Sequence, residues 1–217
     1  MGHLRCVLFD MNGTLLDPAG VGEPLGLGPE ESHASLRDGC LQSMAETLAG
    51  TSRPFADYLR AALRRRAVLA GGNLEALDAA MARAVRMPPY PDADEALGIL
   101  REAGLRVGVL TNSAREIAES ALEAAGLELD LVAGADEAGA YKPDPRVYAL
   151  GAERAGLPPG DICLVAAHAW DITGAAAAGM RTAWVARGEA ELLDIVPAPD
   201  VRGADLAEVA RELVRVR

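Results

Sequence analysis

The chain has 217 residues, half of them hydrophobic and only 4% aromatic, and its 21 Lys and Arg against 32 Asp and Glu give a net charge of −11. That length fits one α/β core with an insertion or two small domains, and the acidic balance repels phosphate backbones and anionic headgroups, which argues against nucleic acid and membrane as partners. Three cysteines without metal-ligand spacing (Cys6, Cys40, Cys163) read as reduced core residues, and the apolar run before Asp10 is too short for a signal-peptide core or a membrane span, so a cytoplasmic protein is expected.

Residues 4–9 (LRCVLF) form a short, mostly apolar run, as expected of a parallel strand buried on both faces, and the run ends at Asp10. Residues 17–88 contain no strand-like run. A Gly/Pro-rich loop over 19–29, expected to be mobile, precedes helical stretches over roughly 30–49, 54–70 and 73–85. The span 17–88 is therefore expected to be a helical cap domain inserted into an α/β core built from 1–16 and 89–217. In that core, strand-like runs at 105–110, 129–132, 162–165 and 182–185 alternate with helical patterns at 93–103, 114–125, 145–155 and 171–178. Such alternation predicts a doubly wound parallel sheet of crossover units. A last helix, about 204–214, places Leu206, Val209 and Leu213 on one stripe facing the sheet.

Polar residues gather where these strands end. Asp10-Met11-Asn12-Gly13-Thr14 follows the first strand, on the edge where open α/β sheets bind ligands. Asn12-Gly13 alone would read as a hairpin turn, but Leu15-Leu16 is followed at once by Asp17-Pro18 and leaves no room for a returning strand. Thr111-Asn112-Ser113 follows the second strand, Lys142 the third and Asp171 the fourth. Taken singly, Thr111 or Asn112 caps a helix, Lys142 is a surface charge and Asp171 favours a helix N-terminus. Together, two carboxylates, an ammonium and hydroxyl or amide donors are what a buried carboxylate nucleophile requires, since a nearby cation keeps it ionised against desolvation.

In order and spacing these segments resemble the motifs of the haloacid dehalogenase superfamily, over essentially the whole chain. The details Tyr141 to Tyr148 (YKPDPRVY) and Ala169-Trp170-Asp171 are similar to the 2-haloacid dehalogenases in particular. The resemblance implies a Rossmann-like core with a cap, and Asp10 as nucleophile with Thr14 and Lys142 holding its carboxylate. It further implies Thr111 and Asn112 as binders of the substrate carboxylate or leaving group, Tyr148 and Asp171 as supports, and Trp170 in the pocket lining. Leu36-Arg37-Asp38-Gly39-Cys40-Leu41 is similar to the family's Trp-Arg-x-x-x-Leu segment, which makes Arg37 the candidate halide grip, against a plain surface arginine. The implied partners are a small anionic substrate and, as in related dehalogenases, a second copy in a homodimer. The implied reaction displaces halide from C2 of a 2-haloacid through an ester on Asp10, which water then hydrolyses.

Phosphatases of the superfamily carry a second Asp two residues after the nucleophile as general acid, and an acidic Mg²⁺ ligand four residues before the position of Asp171. Here those positions are Asn12 and Ala167. Halide departure needs neither proton nor metal, so no metal or other cofactor is expected. A phosphatase or phosphonate hydrolase of the same superfamily, or a non-catalytic binding protein on the same fold, are the rival readings. Three positions depart from the dehalogenases, with Asn12 in place of a Tyr, Ala166 in place of a Ser and His168 in place of an Asn. Imidazole is the better proton acceptor, so His168, with an ordinary pKa of about 6.5, is a candidate to activate the hydrolytic water, against a histidine that only hydrogen-bonds beneath the site. His3 and His33 have no acidic partner in sequence and are assigned no role; Trp184 is expected in the core.

Overall fold

The computed structural model describes residues 3–217; the first two residues of the expected core span lie outside the described residues. Six strands form one wholly parallel sheet: β1 (Cys6–Phe9), β2 (Arg106–Thr111), β3 (Leu131–Gly134), β4 (Ile162–Ala166), β5 (Arg181–Val185) and β6 (Val201–Gly203), in the order β3-β2-β1-β4-β5-β6. Strand order reverses at β1, whose Phe9 is in register with Val109 on one side and Val165 on the other. Asp10 thus emerges at the switch point, where the connections leave in opposite directions and open a crevice. All of β1 is buried, as its unbroken apolar run requires.

The flanking helices are α4 (Ala93–Glu102), α5 (Arg115–Ala124), the short α6 (Ala135–Ala138), α7 (Pro145–Ala155), α8 (Ala169–Ala177) and α9 (Leu206–Val216), with α4 packed on α9 and α7 on α8. Their ends follow local chemistry. Asp144 caps α7 by accepting from the Arg146 amide, Pro145 occupies its first turn, and Gly156 closes it in the left-handed region.

Between Asp17 and Pro88 lie three α-helices, α1 (Pro29–Leu48), α2 (Phe55–Ala70) and α3 (Leu77–Ala84), the first two packed on each other. The two chain crossings into this region are stitched together: the Asp17 amide donates to Pro88 O at 2.8 Å and the Tyr90 amide to Leu15 O at 2.9 Å. Among the described residues no helix is long and apolar enough to cross a membrane.

Several elements differ from the sequence expectation. The loop over 19–29 is packed rather than free: it contains two 3-10 turns, and Val21, Leu25 and Leu27 are buried, because its glycines and prolines alternate with aliphatic side chains. The expected strand over 129–132 lies at Leu131–Gly134, since Asp130 is used as a clamp that accepts from the Val107 amide at 2.7 Å and donates its own amide to Val107 O. α8 begins at Ala169 and not at 171, because the Glu189 carboxylate accepts from the Ala169 amide. β6 and α6, three and four residues long, have no counterpart among the expected elements.

Candidate active site

The turn after β1 is formed by Met11 O, which accepts from the Leu15 and Leu16 amides at 2.9 Å, with Gly13 at φ +83°, a backbone region that side chains disfavour. The chain does not return as a strand; it leads to the crossing at Asp17. This turn directs Thr14 back toward the strand end, where its hydroxyl donates to Asp10 Oδ2 at 3.0 Å and accepts from the Ala167 amide at 3.1 Å. One hydroxyl thereby ties the end of β1 to the end of β4.

Lys142 is fully buried and all three of its ammonium hydrogens are used, on Asp10 Oδ1 at 2.9 Å, Asp171 Oδ2 at 2.5 Å and Leu110 O at 2.9 Å. The other Asp171 oxygen accepts from the Tyr148 hydroxyl at 2.7 Å. Asn112 holds this arm in register: its carbonyl oxygen accepts from the Lys142 amide at 2.8 Å, while its own buried NH₂ faces the Cys40 thiol, a weak acceptor. A buried amide donor with only a weak acceptor leaves room for a ligand to accept from it.

Burial would raise the pKa of Asp10, but the Lys142 ammonium and His168 outweigh it and hold the carboxyl well below the usual carboxylate range. Asp171 goes the other way, raised by burial and by the Asp10 charge more than Lys142 and Tyr148 lower it. Lys142 is raised too: burial opposes its charge, and the two carboxylates more than restore it. Of the two acids, the one at the end of β1 is the more readily ionised.

His168 Nδ1 lies 3.1 Å from Asp10 Oδ2, and a carboxylate only accepts, so this nitrogen donates. Burial would lower the pKa of the ring, yet the hydrogen bond and charge of Asp10 raise it above 6.5. The expectation of an unperturbed imidazole is corrected on this point, because no reading of the chain order places His168 against Asp10. Trp170 stacks on His168, with ring centroids 5.3 Å apart. Trp184 is buried and donates from Nε1 to Ala167 O at 3.3 Å.

Asp10, Thr14, Lys142, His168, Tyr148, Asp171 and Asn112 are thus linked in one hydrogen-bonded network, and Trp170 borders it. Asn12 and Thr111 sit one step out. Asn12 donates to Ser113 Oγ at 3.2 Å, and the Thr111 hydroxyl accepts from the Ser113 amide at 3.1 Å. Arg37 does not join the cluster. It is exposed and faces the cluster across a cavity of about 260 Å³ lined also by Gly13, His33, Leu36, Ala167, His168 and Glu189.

Some neighbours of the site were given no place in it from the sequence. His33 lines the cavity and, contrary to the expectation that it lacks an acidic partner, approaches Asp17 Oδ1 at 3.7 Å; the pair is close only because the chain folds back at α1. Arg187 donates to Thr14 O at 3.0 Å and to both oxygens of Asp92, with its guanidinium 3.8 Å from the centroid of the Tyr90 ring. Cys40, on α1, is a neutral thiol raised to about 12 by burial and by the Asp10 charge. No local motif marks any of the three.

A family model for haloacid dehalogenase-like hydrolases matches residues 4–179. The chain is 34% identical over 197 residues to (S)-2-haloacid dehalogenase 1 of Pseudomonas sp. (strain CBS-3), covering 86% of each protein. It is also 33% identical over 168 residues to the phosphoserine phosphatase of Thermus thermophilus, covering 76% of this chain and 67% of that enzyme. The solved structure of L-2-haloacid dehalogenase from Xanthobacter autotrophicus with chloropropionic acid covalently bound superimposes with a TM-score of 0.87 at 26% identity, over 98% of this chain and 99% of that one. A buried carboxylate at the switch point of a parallel sheet, locked to a lysine and a second aspartate, together with a family model that matches residues 4–179, means that this chain belongs to the haloacid dehalogenase-like hydrolases.

Proposed function

We propose that this hydrolase cleaves the carbon–halogen bond of a small 2-haloacid and yields the 2-hydroxy acid. Asp10 attacks C2 and expels halide with inversion, and water hydrolyses the resulting ester at the Asp10 carbonyl carbon. The observation that carries this reading is the state of Asp10: a buried carboxylate kept ionised by Lys142 and held by Thr14 and His168. Holding nucleophile and carbon in line contributes about 7–11 kcal/mol of barrier lowering through effective molarity. Thr14 and Lys142 orient the carboxylate, Asp171 and Tyr148 hold Lys142, and Thr111 with Asn112 receives the substrate carboxylate or the departing halide. Arg37, across the cavity, is the cation for halide, and Asn12 and Trp170 border the substrate.

Residues 17–88 act as the cap over this cavity, on a core of 1–16 and 89–217, in a cytoplasmic homodimer. The departures at Asn12 and Ala167 favour halide displacement over phosphoryl transfer, since neither side chain supplies a proton or a carboxylate ligand to Mg²⁺. The test is halide release from both 2-chloropropionate enantiomers and from haloacetates, with a chromogenic phosphate ester and Mg²⁺ run in parallel. Halide from one enantiomer and no phosphate release is expected. The similarity to a phosphoserine phosphatase supports the second reading, and Mg²⁺-dependent phosphate release without halide would establish it.

A further inference from the structure

We propose that His168 is the proton carrier of the catalytic cycle. Protonated on both ring nitrogens while it faces the Asp10 carboxylate, it sheds its Nε2 proton into the cavity when Asp10 becomes an ester and takes one back from the water that hydrolyses that ester. This rests on the dehalogenase reading of Asp10.

The ring bridges two environments. Nδ1 donates to Asp10 Oδ2 at 3.1 Å, whereas Nε2 has no protein partner among the described residues and lies along Gly13, which together with His168 lines the cavity. A proton on Nε2 therefore has an exit, and the nucleophile is felt at the opposite edge of the same ring. The buried charges around it are Asp10 at the end of β1, Lys142, and Asp171 on α8; His33 and Arg37 from α1 and Glu189 from the loop after β5 line the cavity, with the Glu189 carboxylate engaged on the Ala169 amide.

In the resting site, two carboxylates face the Lys142 ammonium and a protonated His168, and the charges cancel. Alkylation removes the charge of Asp10, the group that holds the ring in its cationic form. At the ring, Asp171 favours the cation and Lys142 opposes it, so esterification leaves His168 without its hydrogen-bonded counter-charge in a half-buried position, where desolvation disfavours the charge.

The steps balance. Asp10 forms the C2–O bond, halide leaves with the electron pair of the C2–X bond, and the cationic ring releases one proton to solvent. In the second half, the ring accepts a proton from water, hydroxide adds to the Asp10 carbonyl carbon, and the acyl–oxygen bond breaks. The second hydrogen of that water ends on the product hydroxyl. The site returns to carboxylate and protonated imidazole.

Pre-steady-state mixing of enzyme with 2-chloropropionate in weak buffer at about pH 7, followed with a pH indicator and a halide readout, tests this directly. One proton per active site is expected with the halide burst, ahead of 2-hydroxypropionate, and in His168→Asn the proton is expected only with the hydroxy acid. Halide without an accompanying proton overturns the inference alone; no halide at all overturns the dehalogenase reading and this inference with it. Should hydrolysis outrun alkylation, NMR titration of the histidine ring in Asp10→Asn, whose neutral amide imitates the ester, decides the matter. The His168 pKa is expected to fall by about 1 unit or more relative to wild type, and an unchanged value overturns the inference.

Discussion

At the scale of single residues, the site depends on Lys142, whose ammonium neutralises two buried carboxylates at 2.9 and 2.5 Å. Lys142→Met leaves both acids uncompensated, a loss expected to cost about 3–5 kcal/mol of stability and, by letting a proton settle on the pair, to abolish halide release; urea unfolding and a halide assay check the two effects. Tyr148→Phe removes only the donor to Asp171, so a loss of about 1–3 kcal/mol is expected with the fold retained. His168 gives a pH signature. Its folded-state pKa is raised, so the pair with Asp10 contributes stability in full below about pH 6.5 and loses it as pH rises through the folded value. The melting-temperature advantage of wild type over His168→Asn should therefore shrink as pH rises above about 6.5; an advantage that grows with pH would remove the pairing. Asp10 behaves oppositely: its depressed pKa contributes stability above about pH 3.8, lost only as the medium becomes strongly acidic.

At the scale of elements, the helices hold the donors at their distances. α7 and α8 meet where Gly174 faces Tyr148, and a Cβ on Gly174 would stand 2.2 Å from the Tyr148 oxygen. Gly174→Ala must push the tyrosine away from Asp171, and it is expected to cost about 1–3 kcal/mol and to lower kcat along with stability, as unfolding and steady-state kinetics would show together. Gly174 beyond Asp171 is visible in the sequence, but its reason is not, because the clash involves a side chain 26 positions away. The Arg187–Asp92–Tyr90 group was hidden in the same way. It fastens the Thr14 carbonyl to the second chain crossing, yet Arg187 lies 95 positions from Asp92 in the chain. What was legible in the elements was pattern: short apolar runs marked β1, β2, β4 and β5, and helical spacing marked the longer helices, to within a few residues. The three-residue β6 and four-residue α6 are too short for any period to register, and the 19–29 segment was misread because turn residues were weighed above the aliphatic side chains between them.

At the scale of the whole molecule, a parallel sheet whose order reverses at β1 brings together residues from positions 10, 112, 142, 168 and 171. This convergence was readable because polar residues sit where apolar strands stop, a property of chain order. The contact of His168 with Asp10 was not readable, since it depends on how the β4 connection turns over the end of β1. The core and its buried charges therefore make one mechanistic claim, that the Asp10 carboxylate bonds to carbon. The direct measurement is a single turnover in ¹⁸O-water with enzyme in excess over 2-chloropropionate, followed by mass spectrometry of the product and of the peptide containing Asp10. Label in Asp10 and unlabelled oxygen in the first-turnover hydroxy acid are expected; label entering the product directly, with Asp10 unlabelled, would contradict the covalent route.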